Sequence, residues 1–191
     1  MKFANYFDAI PELETDRLLL RAFHREDIER YLVFVRSPGV QKYLGGGLND
    51  LPNDQHIANW LNNINGRLLK SKTVFTWCIW HKADEKVVGR IDLGGFLRKS
   101  VAELSYYFAE DYWGQGLATE AVERVVRFGL EELRLHRIQA TVMPENAASL
   151  RVLEKAGFCR EGLLRSYSFG KEFHDVVILS VIEEANIGVN R

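Results

Sequence analysis

Two glycines spaced by one residue, Gly114 and Gly116, lie in Tyr112-Trp113-Gly114-Gln115-Gly116-Leu117-Ala118-Thr119-Glu120, between a strand-like run and the most amphipathic helical stretch of the chain. The first N–H groups of a helix have no internal acceptor and sit at the positive end of its dipole, so an entry of this kind can hold an anion. Gly114 and Gly116 remove the Cβ atoms that would keep a phosphate away. Thr119, at about the N-cap, offers a hydroxyl either to such a phosphate or to its own backbone. An ordinary glycine turn before a helix is the simpler alternative. Two other phosphate-binding patterns are excluded, because no Gly-Lys-Ser/Thr follows Gly116 and no GxGxxG opens a βαβ unit near the N-terminus.

Three further polar residues have types suited to catalysis. Asn146 and Ser149 stand at the start of a helical segment, where each can either cap the helix or face a ligand. Glu103 lies within the strand-like run Ala102-Glu103-Leu104-Ser105-Tyr106-Tyr107-Phe108, either as a solvated surface carboxylate or as a base aimed into a cleft. Neither a nucleophile elbow nor a convincing Cys-His pair occurs, so no covalent intermediate is indicated. His24, His56, His81, His136 and His174 have no ligand spacing, and no metal is expected. Trp60, Phe75, Trp77 and Trp80 belong either to a substrate cleft or, as is commoner at such spacings, to the core or a dimer surface.

The elements that must position these groups follow from periodicity. Thr15 to Arg21 reads as a strand and His24 to Val35 as a helix, with Ile28, Tyr31, Leu32 and Val35 on one side. After Ser37-Pro38-Gly39 and the run Gly45-Gly46-Gly47, a second helix capped by Asn53 or Asp54 carries Ile57, Trp60, Leu61 and Ile64. Three strands follow, Thr73 to Trp80, Lys86 to Phe96 and Val101 to Phe108, fitting an antiparallel meander. Thr119 to Leu135 returns to helical spacing with Ala118, Ala121, Val122, Val125, Phe128, Gly129 and Leu133 in one apolar stripe, and with Glu120–Arg124 and Glu123–Arg127 as i,i+4 pairs. A strand from Arg137 to Val142, a helix from Asn146 to Ala156 stopped by Gly157, and two strands joined across Gly170-Lys171 complete the order. The prediction is a mixed α/β single domain spanning 1–191, with its core at about 14–184 and short extensions.

The 191 residues suffice for one sizeable core but are short for two full-sized domains, and a 47% hydrophobic, 27% charged composition is that of a globular protein. A formal net charge of −1 argues against a dedicated nucleic-acid binder. Cys78 and Cys159 form no metal motif or disulfide framework. With no signal-like start and no membrane-length apolar run, a cytoplasmic location and no membrane contact are expected.

The loop at Trp113–Thr119 resembles the acyl-CoA pyrophosphate loop of the GNAT N-acetyltransferase superfamily, written Arg/Gln-x-x-Gly-x-Gly/Ala. Gly116 and Ala118 match the pattern, whereas Trp113 replaces the polar first residue. Asn146-Ala147-Ala148-Ser149-Leu150-Arg151-Val152-Leu153-Glu154-Lys155-Ala156-Gly157-Phe158, the strand Ala102–Phe108 and the opening Glu14-Thr15-Asp16-Arg17-Leu18-Leu19-Leu20-Arg21 resemble the ribosomal-protein alanine and serine N-acetyltransferase branch in the same order.

This resemblance implies a central twisted mixed sheet of about six to seven strands flanked by about four helices, with two parallel strands splayed around the pantetheine arm. It implies acetyl-CoA as co-substrate, bound by Tyr107, Phe108, Trp113, Gly114, Gln115, Gly116, Leu117, Ala118, Thr119, Asn146 and Ser149. Ser149 would protonate the departing thiolate, Glu103 would act as base, and the Tyr107 N–H would hold the thioester carbonyl. The implied acceptor is a primary amine, with a protein N-terminus of ribosomal type foremost and a polyamine, amino acid or aminoglycoside as the alternative. A silent acyl-CoA-binding sensor is a rival of another class. Monomer and homodimer both remain open, as does closure of the Gly45–Gly47 loop over substrate.

Overall fold

The computed structural model describes residues 6–44, 54–98, 100–169 and 172–183. The Gly45-Gly46-Gly47 run, Asn53 and the Gly170-Lys171 turn lie outside these residues. In chain order the elements are β1 (Leu13–Glu14), β2 (Leu18–Arg21), α1 (Ile28–Val35), α2 (Pro38–Gln41), α3 (Asp54–Asn62), β3 (Val74–His81), β4 (Lys86–Leu97), β5 (Val101–Phe108), α4 (Leu117–Arg127), β6 (Arg137–Val142), α5 (Ala147–Lys155), β7 (Cys159–Phe169) and β8 (Glu172–Ile182). Helix α3 runs on through a π turn at Asn63–Arg67 into Leu68–Lys70, and α4 through another at Phe128–Glu132.

All eight strands form one sheet in the order β1-β2-β3-β4-β5-β6-β8-β7. The strand beyond the expected six to seven is β1, two residues long and paired Leu13↔Leu20. Two residues are too few to leave a periodic signal. The meander β3-β4-β5 is antiparallel as expected. Among the described residues only β5 and β6 run parallel, and their register holds for Val101↔Arg137, Ala102↔Ile138 and Glu103↔Gln139 before it ends.

Successive residues of β5 point to opposite faces of the sheet. The Tyr107 hydroxyl meets Tyr31 of α1 at 2.7 Å, whereas that of Tyr106 meets Ser149 of α5 at 2.9 Å. Helices α1 and α5 therefore cover opposite faces. Ala121, Val122, Val125 and Phe128 on the stripe of α4 are buried, and the Phe128 ring meets Phe75 and Trp77 edge-on. Phe75 and Trp77 are thus core residues, while Trp60 packs on Phe23 and Tyr31. The expected Glu120–Arg124 pair does not form. Arg17 from the β1–β2 turn takes Glu120, and Arg124 turns to Glu132 at 3.4 Å. Among the described residues no helix is long and apolar enough to cross a membrane.

Ionic contacts help to hold the periphery to the sheet. Arg21 on β2 makes a two-pronged pair with Asp27 at 2.7 and 2.9 Å, and Asp27 also accepts the His24 N–H at 2.7 Å, fixing the entry to α1. The Asp27 side chain is 2% exposed, so removing it strands a buried guanidinium. We expect Asp27→Ala to lower unfolding free energy by about 3–5 kcal/mol in urea titrations. A loss below about 1 kcal/mol, typical of an exposed pair, would show that this contact does not anchor α1.

At the other edge, Glu161 on β7 accepts from Arg137 of β6 at 2.6 and 2.5 Å and from Ser180 of β8 at 2.6 Å. The Arg137 and Ser180 hydrogen bonds lower its pKa from 4.5 to about 2. Because the folded-state value lies below the unfolded one, the stabilisation is fully present above about pH 4.5 and is lost as pH falls through about 2. The stability gap between wild type and Glu161→Gln should therefore shrink between pH 5 and 2, on the order of that pKa interval. A gap independent of pH would contradict the assignment.

Candidate active site

Where β5 and β6 part, a cavity of about 310 Å³ opens, lined by Glu103, Ser105, Tyr106, Thr141, Asn146 and Ser149 among others. It adjoins a groove of about 470 Å³ that runs past Tyr107 and Phe108 to Trp113–Thr119 and along α5. The expected candidates from β5, the glycine loop and α5 are thus brought together around one continuous depression.

The ladder fixes which backbone groups face this opening. Ala109 donates its N–H to Val88 of the β4 side, and Ser100 accepts from His136 and Arg137 on the β6 side. Since a strand's hydrogen-bonding direction alternates by residue, Tyr107 points its N–H at β4, paired with Arg90, and Tyr106 and Phe108 point theirs into the opening. This corrects the expectation that the Tyr107 N–H serves the ligand. Its hydroxyl is also engaged, with Tyr31 at 2.7 Å and Arg90 at 3.4 Å.

At the loop, α4 starts at Leu117 with Gly116 as N-cap, which moves Thr119 from the expected cap to the third helical position. Gly114 and Gly116 have φ of +73° and +78°, left-handed values that disfavour any side chain. The first backbone bond of the helix runs from the Glu120 N–H to the Gly116 carbonyl at 3.1 Å. Among the described residues, no acceptor takes the N–H groups of Gly114 to Thr119. Leu117 has its side chain buried in the core, so its contribution to the groove is its amide. Gln115 turns its side chain back to the Asp111 carbonyl at 2.8 Å. Trp113 lies along the groove with its indole N–H donated to the Phe108 carbonyl at 2.9 Å, so that carbonyl is already occupied. Exposed amides, left-handed glycines and an open groove fit a diphosphate, and Arg151 and Lys155 on α5 add positive charge along the same groove.

At α5 the Asn146 Oδ1 accepts the Ser149 N–H at 3.1 Å, making Asn146 the N-cap and leaving its amide nitrogen for other partners. The Ser149 hydroxyl lies 2.9 Å from that of Tyr106. Burial raises the Tyr106 pKa to about 12, so this phenol keeps its proton at neutral pH. Glu103 is exposed at the mouth and receives the Gln139 side-chain N–H at 3.5 Å.

Tyr106, Arg151 and Lys155 line the site although the sequence did not single them out. The i,i+4 spacing of Arg151 and Lys155 on one helix face was a visible signal. The contact of Arg17 with Glu120 and the Gln115 carbonyl, outside the lining of either cavity, had no such signal, because these partners lie far along the chain. The described residues contain no cluster of three or more potential metal ligands. Asp175 accepts the Ser166 N–H at 2.8 Å, stabilising a left-handed residue in the last hairpin, away from both cavities.

A family model described as an acetyltransferase (GNAT) domain matches residues 17–159. The uncharacterized N-acetyltransferase YoaA of Bacillus subtilis is 33% identical over 162 residues, 83% of this chain and 89% of that protein. The [ribosomal protein uS5]-alanine N-acetyltransferase of Escherichia coli is 25% identical over 81% of each chain. A spermidine N-acetyltransferase from Vibrio cholerae, solved in complex with CoA and spermine, has a TM-score of 0.72 at 20% identity, over 88% of this chain and 96% of that one, which shows the same fold. A parallel pair that parts after three residues, a glycine loop opening a helix beside it and a domain match across most of the chain lead to one conclusion: the protein belongs to the GNAT acetyltransferase family.

Proposed function

We propose that this protein transfers an acetyl group from acetyl-CoA directly to a primary amine, and that the amine is a protein N-terminal α-amino group of ribosomal-protein type. The observation that carries the transfer reading is the Tyr106–Ser149 hydroxyl pair set in the parting of β5 and β6, beside unpaired amides on one side and the glycine loop on the other. A silent acyl-CoA sensor would have no need of such a pair.

Each residue has an assigned task. The amides of Gly114, Gly116, Leu117, Ala118 and Thr119 hold the diphosphate, and the Tyr106 or Phe108 N–H holds the thioester carbonyl and the oxyanion formed as the amine attacks. Asn146, capping through Oδ1, offers its amide to the pantetheine. Ser149 gives its proton to the departing CoA sulfur as it takes one from solvent, while Tyr106 orients that hydroxyl. Glu103, the one carboxylate among the described residues lining the cavity between β5 and β6, receives the amine's proton or orders the water that does.

The acceptor reading rests on two supports. One is the E. coli relative, a [ribosomal protein uS5]-alanine N-acetyltransferase. The other is the base. Freeing an α-amino group of its proton at pH 7 costs about 1 kcal/mol, against about 4.6 kcal/mol for a lysine, and an exposed carboxylate suits the smaller task.

Thiol release from acetyl-CoA should be faster, in kcat/KM, with Ala- or Ser-initiated peptides than with polyamines, free amino acids or aminoglycosides. A preference for the small amines by orders of magnitude would overturn the N-terminal reading. Ser149→Ala should lower kcat by about 10²-fold with acetyl-CoA affinity nearly unchanged. An unaltered kcat removes Ser149 from the mechanism. With Tyr106 titrating near 12, kcat should show no falling limb between pH 7 and 10 from this pair. Such a limb, abolished in Tyr106→Phe, would contradict the placement of that proton.

A further inference from the structure

The turn between β1 and β2 reaches across to the glycine loop. Arg17 donates from Nη1 to the Gln115 carbonyl at 2.9 Å, from Nε to Glu120 Oε2 at 2.7 Å, and from its own backbone N–H to Glu120 Oε1 at 2.9 Å. Thr15 donates its hydroxyl to the same Oε1 at 2.6 Å and receives the Leu18 N–H at 2.9 Å, which closes the turn. The Arg17 carbonyl is in turn fixed by the Lys82 N–H at 3.0 Å. Arg17 is thus held at both ends, against the sheet and against α4.

A trans peptide directs its C=O and the following N–H to opposite sides. Capturing the Gln115 carbonyl from one side therefore aims the Gly116 N–H to the other. The Glu120 carboxylate is one turn into the helix whose start faces the groove, and the ion pair with Arg17 at 2.6 Å cancels that charge. Burial opposes the Glu120 charge, but the Thr15 and Arg17 bonds outweigh it and keep its pKa below the ordinary glutamate value.

We propose that Arg17 is the positioning residue of the acyl-CoA loop: its guanidinium sets the Gln115–Gly116 peptide so that the Gly116 N–H faces the groove, and it neutralises Glu120 beside the diphosphate. This rests on the reading of Trp113–Thr119 as the acyl-CoA loop. Arg17 need not touch the ligand. It prepares the loop before binding, so that less ordering is required when the ligand arrives.

The test uses full-length wild type, Arg17→Ala and Arg17→Lys, with CoA titrated by calorimetry and amide hydrogen exchange followed in the ligand-free protein. Thermal unfolding confirms that each variant is folded, and Arg17→Lys keeps the charge without the planar fork. Expected are a rise of about tenfold in the CoA Kd for Arg17→Ala, faster exchange across Gly114–Ala118 without ligand, a parallel rise in the acetyl-CoA KM, and unchanged kcat at saturation. Arg17→Lys should recover little of the loss. Wild-type Kd in Arg17→Lys would mean that charge alone matters and would overturn the peptide-setting role. Weaker binding in Arg17→Ala with unaltered ligand-free exchange would make Arg17 a direct ligand contact and overturn positioning. Unchanged Kd in both variants overturns the proposal while leaving the acyl-CoA reading intact. Failure of wild type to bind CoA removes that reading and the proposal together.

Discussion

The parallel ladder between β5 and β6 lasts three residues and then stops, although β5 continues to Phe108 and β6 to Val142. Backbone groups buried in a sheet normally find partners in the next strand, so a ladder that ends early leaves donors and acceptors that require something else to bond. Here those groups belong to Tyr106 and Phe108, and the space beside them is the wedge. On its outer side β5 stays registered with β4, which fixes the alternation and decides that Tyr106 and Phe108, and not Tyr107, address the opening. The same alternation sends the Tyr106 side chain to α5 and that of Tyr107 to α1. One register thus sets the backbone donors, the hydroxyl pair and the division between the two faces of the sheet.

Contacts on both sides of the wedge brace β5. Below it, Arg90 joins the Tyr31 and Tyr107 hydroxyls at 3.3 and 3.4 Å and pairs with Asp92 at 3.0 Å. Burial works against the Arg90 charge, yet Asp92 and the tyrosine oxygens keep its pKa above the ordinary arginine value. Above it, Trp113 closes the end of β5 by taking the Phe108 carbonyl. In the family pattern that position is Arg or Gln. Here an indole holds the strand end and lies along the groove.

Much of this architecture was legible in the chain. The meander, the amphipathic stripe of α4 and the Asn146–Ser149 helix carry periodicities or caps that survive folding, because local preference and tertiary burial agree there. Glycine spacing also marked the helix entry that Gly114 and Gly116 make in left-handed conformations. What escaped was non-local. Two-residue β1 has no periodicity, yet it builds the turn that presents Arg17. Glu120 looked like a partner for Arg124 four residues on, and Arg17, with a backbone N–H and a guanidinium to offer, outcompetes that exposed pair. Thr119 was placed at the cap because its residue type favours caps, but Gly116 in a left-handed conformation begins the helix first. The Tyr106–Ser149 contact depends on strand phase and helix placement together, and nothing at either position in the chain announces it.

In the proposed mechanism one continuous site runs from the amides of Gly116–Thr119 to those of Tyr106 and Phe108. The direct measurement is an amide chemical-shift titration of the isotope-labelled protein with acetyl-CoA. The largest perturbations should fall together on Gly114, Gly116, Leu117 and Ala118 and on Tyr106 and Phe108, with Tyr107 moving less than its two neighbours. Perturbations confined to the loop, or larger at Tyr107 than at Tyr106 and Phe108, would contradict the assignment of the wedge.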